Sequence, residues 1–174
     1  MRFLERNLED ILYKELEHCR DRGFDIEPME NKVCRQLNLA PFGIADLVHF
    51  GYQPDQERIH VRIIECKKDV VNTATYLQAS RYQTAISRVL DCCTFNPIFE
   101  KVLVGQKVDP KNDFWYLVDA DMDARIYTYD YRHDGIVFKR HRPHDAIGKS
   151  AQHIHRSTVG DIFAWAAQYE EENE

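Results

Sequence analysis

The sequence predicts a mixed α/β domain, a central β-sheet flanked by helices. Three observations predict it. The chain opens with a helical stripe, because Leu4, Leu8, Ile11, Leu12 and Leu16 recur three or four residues apart. Two short apolar runs follow, Gly43 to Phe50 and Arg58 to Cys66, each of strand length. A second helical pattern then precedes further strand-like runs. With 174 residues and no long linker or internal repeat, the chain is expected to form one domain over residues 1–174, with an acidic tail at 170–174.

Taken in order, the first helix is expected from about Phe3 to Arg20, with Gly23 just beyond it where a left-handed cap is common. A polar stretch runs through about Pro41. Gly43–Phe50 reads as a strand with Asp46 in its middle, and Gly51-Tyr52-Gln53-Pro54-Asp55-Gln56 as a turn. In Arg58–Cys66, Ile59, Val61 and Ile63 point one way and His60, Arg62 and Ile64 the other, so the two runs make a hairpin. Asn72 or Thr73 is a fitting N-cap for a helix reaching about Cys92. Pro97 then breaks the chain. Strands are expected at Lys101–Val108, Phe114–Ala120, Arg125–Tyr131 and Ile136–Lys139, the last after a turn at His133-Asp134-Gly135. A final helix is expected from Ser157 or Thr158.

Composition excludes several classes. No apolar run approaches the roughly 18 residues of a membrane span. The charged start Met1-Arg2-Phe3-Leu4-Glu5-Arg6 has no signal-peptide core, so a cytoplasmic location is expected. The five cysteines (Cys19, Cys34, Cys66, Cys92 and Cys93) are odd in number and lack C-x-x-C spacing, which argues for free thiols and against a disulfide framework or a zinc site. Net charge is −6, but the basic residues fall in blocks. Arg58–Arg88 holds six bases against two acids, and Arg132–Arg156 six against two together with five of the eight histidines.

One block contains the chemistry. Glu65 and Lys67, two apart in a strand, project together. Glu-x-Lys by itself recurs by chance. Asp46 changes its weight, because an unpaired carboxylate inside an apolar strand costs several kcal/mol unless a cation or strong donors compensate. If the strands pair, Asp46 and Glu65 approach and repel each other. A divalent cation resolves that conflict, and hard oxygen ligands suit magnesium or manganese. Lys67 can then hold a water or stabilise charge on a phosphate. On the following helix Gln78 and Tyr82 share a face, which Ala85 and Val89 continue onto the sheet.

An aspartate in one strand, Glu-x-Lys ending the next and Q-x-x-x-Y on the following helix resemble the PD-(D/E)xK nuclease superfamily, most of all its branch with RecB-type and NucS-type nuclease domains. The core motifs fall within residues 3–108, and the strands and helix of 114–169 carry no motif of their own. Ala45, in place of proline, precedes Asp46. The resemblance implies a restriction-endonuclease-like core and a Mg2+- or Mn2+-dependent deoxyribonuclease that hydrolyses phosphodiesters with a metal-activated water. It implies that Asp46, Glu65 and the Cys66 backbone carbonyl are metal ligands, and that Lys67 positions or activates the water. Gln78 and Tyr82 would support the site and contact nucleic acid, with Lys68 and Arg81 beside them. A first-helix glutamate would join the metal: Glu5 is preferred, Glu9 is the alternative and Glu15 a third option. DNA is the expected partner, RNA being a further possibility, with a homodimer or a larger protein partner also open. The alternative is a non-catalytic nucleic-acid-binding or regulatory protein that keeps the fold.

The remaining motifs read plainly. His141-Arg142-Pro143-His144 and His153-Ile154-His155 match no zinc spacing and suggest a basic loop. Tyr127, Tyr129 and Tyr131, like Trp115 and Leu117, alternate as one sheet face packed on a helix. Asp119, Asp121 and Asp123 lack the glycine and glutamate of a calcium loop and suggest an acidic turn between strands.

Overall fold

A computed structural model describes residues 5–27, 31–91, 96–143 and 145–146 of the chain. The expected C-terminal helix, the acidic tail, His144, Cys92, Cys93 and the His153-Ile154-His155 motif lie outside the described residues.

Six strands form one mixed sheet in the order β1-β2-β3-β5-β7-β8. The strands β1 (Asn31–Asn38), β2 (Ile44–Gln53) and β3 (Arg58–Cys66) make an antiparallel meander. β5 (Asn96–Gly105) and β7 (Ala124–Arg132) continue parallel to β3, and β8 (Gly135–His141) closes the edge antiparallel to β7. Parallel neighbours need crossovers. The first is α3 (Thr73–Leu90), capped by Asn72 in a reciprocal pair with Thr75. The second is α4 (Asn112–Ala120). Two short segments, β4 (Val70–Val71) and β6 (Lys107–Val108), pair at the C-terminal ends of β3 and β5.

Each sheet face carries its own core. On one, Ile64, Cys66, Val102, Val104 and Tyr127 pack with Leu8 and Leu12 of α1 (Glu5–Lys14) and Cys19 of α2 (Leu16–Arg20). On the other, Val61, Ile63, Leu103 and Ile126 pack with Ala79, Tyr82 and Ile86 of α3 and with Phe114, Trp115 and Val118 of α4. The alternation read in Arg58–Cys66 is therefore the division of the core between two helical layers. Tyr127 and Tyr129 belong to the first layer, as a packed face requires, while Tyr131 is exposed at the strand end.

Several expectations are corrected. The first helix is two helices meeting at Glu15, which is exposed there. Gly23 does take the left-handed conformation (φ 94°), and a Cβ there would lie 2.3 Å from the Phe138 carbonyl oxygen. The polar stretch before Pro41 contains β1, an edge strand whose exposed face removes the apolar alternation that marks a strand. β2 runs on to Gln53, and a short 3₁₀ turn with left-handed Glu57 makes the hairpin connection. Pro97 lies inside β5, in the stretch paired with β3 but not yet with β7, so its missing N–H leaves no gap in the β7 ladder. Residues 101–108 form the end of β5 and then β6. Phe114–Ala120 is helix α4, not a strand: Phe114, Trp115 and Val118 are buried at helical spacing, so Trp115 and Leu117 do not alternate. Val89 is exposed, off the packed face of α3. Asp119 lies in the last turn of α4, so the acidic turn joins a helix to a strand, and Asp121, which caps the helix, accepts from the Tyr76 hydroxyl and pairs with Lys101. No helix among the described residues is long and apolar enough to cross a membrane.

Candidate functional site

The expected site residues meet at the C-terminal end of β3. Antiparallel pairing of β2 with β3 stops at Leu47 and Ile64, one residue short of Asp46 and Glu65. On the other side of β2 the pairing with β1 skips Gln36 and Asp46 and resumes at Leu37 and Ala45. The facing of β2 slips at the same point: Ala45 belongs to the α3 layer, Leu47 to the α1 layer and Val48 again to the α3 layer. Asp46 thus sits in a local break in the sheet, where its carboxylate does part of the work of a strand. Its Oδ2 accepts from the Cys66 N–H at 2.8 Å.

Lys67 N–H donates to the Val104 carbonyl on the β5 side. Backbone groups alternate in direction along a strand, so Cys66 turns both its N–H and its carbonyl toward β2. The carbonyl expected as a ligand therefore faces the side on which Asp46 lies.

Glu65 is fully buried, and only one of its carboxylate oxygens has a partner. Lys67 Nζ donates to Oε1 at 2.6 Å, while Oε2 has none. Burial, then the charge of Asp46, push the Glu65 carboxyl up to about 8 against the pull of Lys67. Burial pushes Asp46 up to about 6, with Glu9 and Glu5 adding to it and the Cys66 N–H and Lys67 opposing. Burial opposes the Lys67 ammonium, but Glu65 and Asp46 more than offset this and hold its pKa above the usual lysine value. The cleft therefore crowds buried carboxyls around a single lysine, and both Asp46 and Glu65 hold their protons more tightly than ordinary carboxylates.

Both first-helix glutamates approach from α1, one turn apart. Glu5 Oε2 accepts from the Lys68 N–H at 3.0 Å, and Oε1 lies 3.8 Å from Lys67 Nζ. Glu9 is the more buried of the two, and it pairs with Arg35 and accepts from Gln36 Nε2 at 2.8 Å. The same Nε2 lies 3.3 Å from Asp46 Oδ1. Glu15 stands apart at the α1–α2 junction, where its charge acts on Cys19. Gln36 and Arg35 escape a sequence reading because they lie in the polar stretch. The one usable signal is a strand opposite Asp46 that has to exist for Asp46 to be enclosed.

Gln78 and Tyr82 act as a brace. Gln78 Nε2 donates to the Tyr82 hydroxyl, and that hydroxyl donates to the Ile44 carbonyl, both at 2.7 Å. The buried Tyr82 ring is thereby tied to the start of the strand that presents Asp46. Gly43 permits this approach: its φ is 110°, and a Cβ would lie 3.2 Å from the ring. Arg81 is exposed, with its guanidinium 5.8 Å from the Tyr82 ring centre, and Lys68 is half-buried.

Among the described residues no group of three or more His, Cys, Asp and Glu side chains stands arranged as a metal cage. Lysine and amide donors lie among the acids instead: Lys67 on Glu65, and Gln36 on Glu9 and Asp46. The donor set still fits a hard divalent cation. It offers carboxylate oxygens of Asp46 and Glu65 and a carbonyl facing the same side, and the partnerless Glu65 Oε2 is a buried oxygen that needs a cation or a donor. Compared with protein families, curated proteins and solved structures, the chain matches none of them.

Proposed function

We propose that this protein is a Mg2+- or Mn2+-dependent deoxyribonuclease with a restriction-endonuclease-like core. The observation that carries the reading is Glu65, a fully buried carboxylate with one oxygen unpartnered, beside Asp46 and held by Lys67. The placement of Asp46 on β2, Glu65 and Lys67 at the end of β3, and Gln78 and Tyr82 on α3 supports the resemblance drawn from the sequence.

Asp46, Glu65 and the Cys66 carbonyl would hold the cation, with Glu5 or Glu9 closing the site from α1. When bound, the cation supplies positive charge to the phosphate and acidifies the attacking water. Lys67, kept protonated by Glu65, donates to that water or to a phosphate oxygen and orients it rather than deprotonating it. Gln78 and Tyr82 fix the strand under Asp46. Lys68 and Arg81 would meet the phosphate backbone.

Cleavage of single-stranded, duplex and branched DNA, and of RNA, with and without Mn2+ tests the proposal. Metal-dependent cutting that disappears in Glu65→Ala is expected. A Glu65→Ala protein that cuts as well as the parent overturns it. The second reading is a nucleic-acid-binding or regulatory protein in which the acids are neutralised from within. The contacts of Lys67 with Glu65 and of Gln36 with Glu9 and Asp46 favour it. Calorimetric titration with MnCl2 separates the two, because the second predicts no binding.

A further inference from the structure

Gln36 departs from its strand in two ways. Its backbone is left-handed (φ 50°) in the middle of β1, which costs a residue with a Cβ roughly 1 kcal/mol. The β1–β2 pairing also lapses at Gln36, opposite Asp46. Strain held within an otherwise paired strand has to be maintained by something the local conformation achieves. Here it brings one amide to two carboxylates. Gln36 Nε2 is 2.8 Å from Glu9 Oε2 and 3.3 Å from Asp46 Oδ1. Glu9 and Asp46 are both buried, yet Gln36 itself is exposed and lines an open pocket with Arg6, Glu9 and Arg35. It stands at the mouth of the acid cleft.

An amide NH2 shared by two carboxylates occupies the place a bridging cation would take. A primary amide also has a near-isosteric alternative: half a turn about its last bond exchanges donor for acceptor. An exposed side chain can make that turn without repacking a core. The adjoining Glu65 Oε2, buried and partnerless, is an independent sign that this cleft takes a cation.

We infer that Gln36 is a metal-responsive residue of the cleft. Without a divalent cation its Nε2 cross-links Glu9 and Asp46; with one, it turns over and presents Oε1 as an oxygen ligand between them. This rests on the metal-dependent reading above and extends it, since it assigns Glu9 as the first-helix acid on Gln36's side of the cleft and gives the cleft a neutral ligand from β1.

The test is titration of the full chain with MnCl2 by calorimetry, in the parent and in Gln36→Gly, Gln36→Glu and Asp46→Asn. Glycine accepts the left-handed backbone, so Gln36→Gly removes the amide without adding strain. Its Mn2+ affinity is expected to fall about tenfold or more, the usual scale for losing a supporting ligand. Gln36→Glu keeps an oxygen of the same reach but cannot donate, and is expected to bind Mn2+ at least as tightly as the parent. Melting curves without metal show that each variant folds. Asp46-dependent binding in the parent that persists unchanged in Gln36→Gly overturns the role of Gln36 and leaves the metal site standing. Loss of binding in Gln36→Glu overturns it too, since Gln36 would then act only as a donor. A folded parent that binds no Mn2+ overturns both this inference and the reading beneath it.

Discussion

Asp46 and Cys66 are joined by a hydrogen bond that replaces a rung of the sheet. Where β2 and β3 cease to pair, the Asp46 carboxylate accepts the Cys66 N–H at 2.8 Å. An asparagine can keep that acceptor while removing the charge that repels Glu65. Asp46→Asn is therefore expected to melt, without metal, at the same temperature as the parent or higher. The parent is expected to gain melting temperature with Mn2+, and the variant to lose that gain and to lose cleavage by about 100-fold or more. Thermal melts with and without Mn2+ check this. A fall in the metal-free melting temperature would make Asp46 a structural acid instead.

The crowded acids give the metal-free protein an unusual pH response. Folding raises the Glu65 carboxyl from an ordinary 4.5 to about 8, so the folded state binds the proton more tightly than the unfolded chain. A group of this kind stabilises most below its unfolded value, and that stability drains away as pH rises to its folded value. Asp46 acts the same way between 3.8 and about 6. Metal-free stability should thus fall from about pH 3.8, where Asp46 begins to contribute, to about pH 8, where Glu65 ends, and Glu65→Gln should flatten the upper part of the fall. Denaturant unfolding at a series of pH values measures it. Mn2+ binding near pH 7 should release protons, visible as a dependence of the binding heat on the buffer's ionisation enthalpy.

How much of this is legible in the sequence depends on where the signal resides. β2 and β3 are readable because both are buried apolar runs of strand length, and in β3 the apolar residues also follow the strand period. β1 is hidden, since its residues Asn31-Lys32-Val33-Cys34-Arg35-Gln36-Leu37-Asn38 sit at an edge and owe their conformation to the neighbour. Phe114-Trp115-Tyr116-Leu117-Val118 looks like a strand by propensity, but the parallel pairing of β5 with β7 demands a crossover there and tertiary context wins. Asp46, Glu65 and Lys67 stand out because charges in apolar strands need an explanation. Gln36 does not, because its role depends on a left-handed backbone and on the register of two strands. Glu5 and Glu9 lie one helical turn apart and both reach the cleft, so spacing could not separate them.

Tyr82 distinguishes a brace from a substrate contact. Its hydroxyl links Gln78 to the Ile44 carbonyl, two residues before Asp46. Tyr82→Phe leaves that carbonyl without its donor and should cost about 1 kcal/mol, or roughly 3 °C in melting temperature. Mn2+ affinity should weaken with it, while KM for DNA stays close to that of the parent. An unchanged melting temperature with a raised KM would assign the hydroxyl to the nucleic acid.

Lys67 should separate metal binding from chemistry. Its ammonium lies 2.6 Å from Glu65 Oε1, so it both neutralises that acid and repels a cation approaching the same carboxylate. Lys67→Met removes the repulsion and leaves Glu65 needing a counter-charge. Metal-free stability is expected to fall, and Mn2+ affinity to hold or rise as the ion takes over the neutralising role. Cleavage nonetheless requires a donor aimed at the water or phosphate, and should drop by about 100-fold or more even at saturating Mn2+. Calorimetry and single-turnover cleavage on the same preparation test both halves. A parallel loss of metal binding and cleavage would show that Lys67 holds the cleft together and takes no separate part in the reaction.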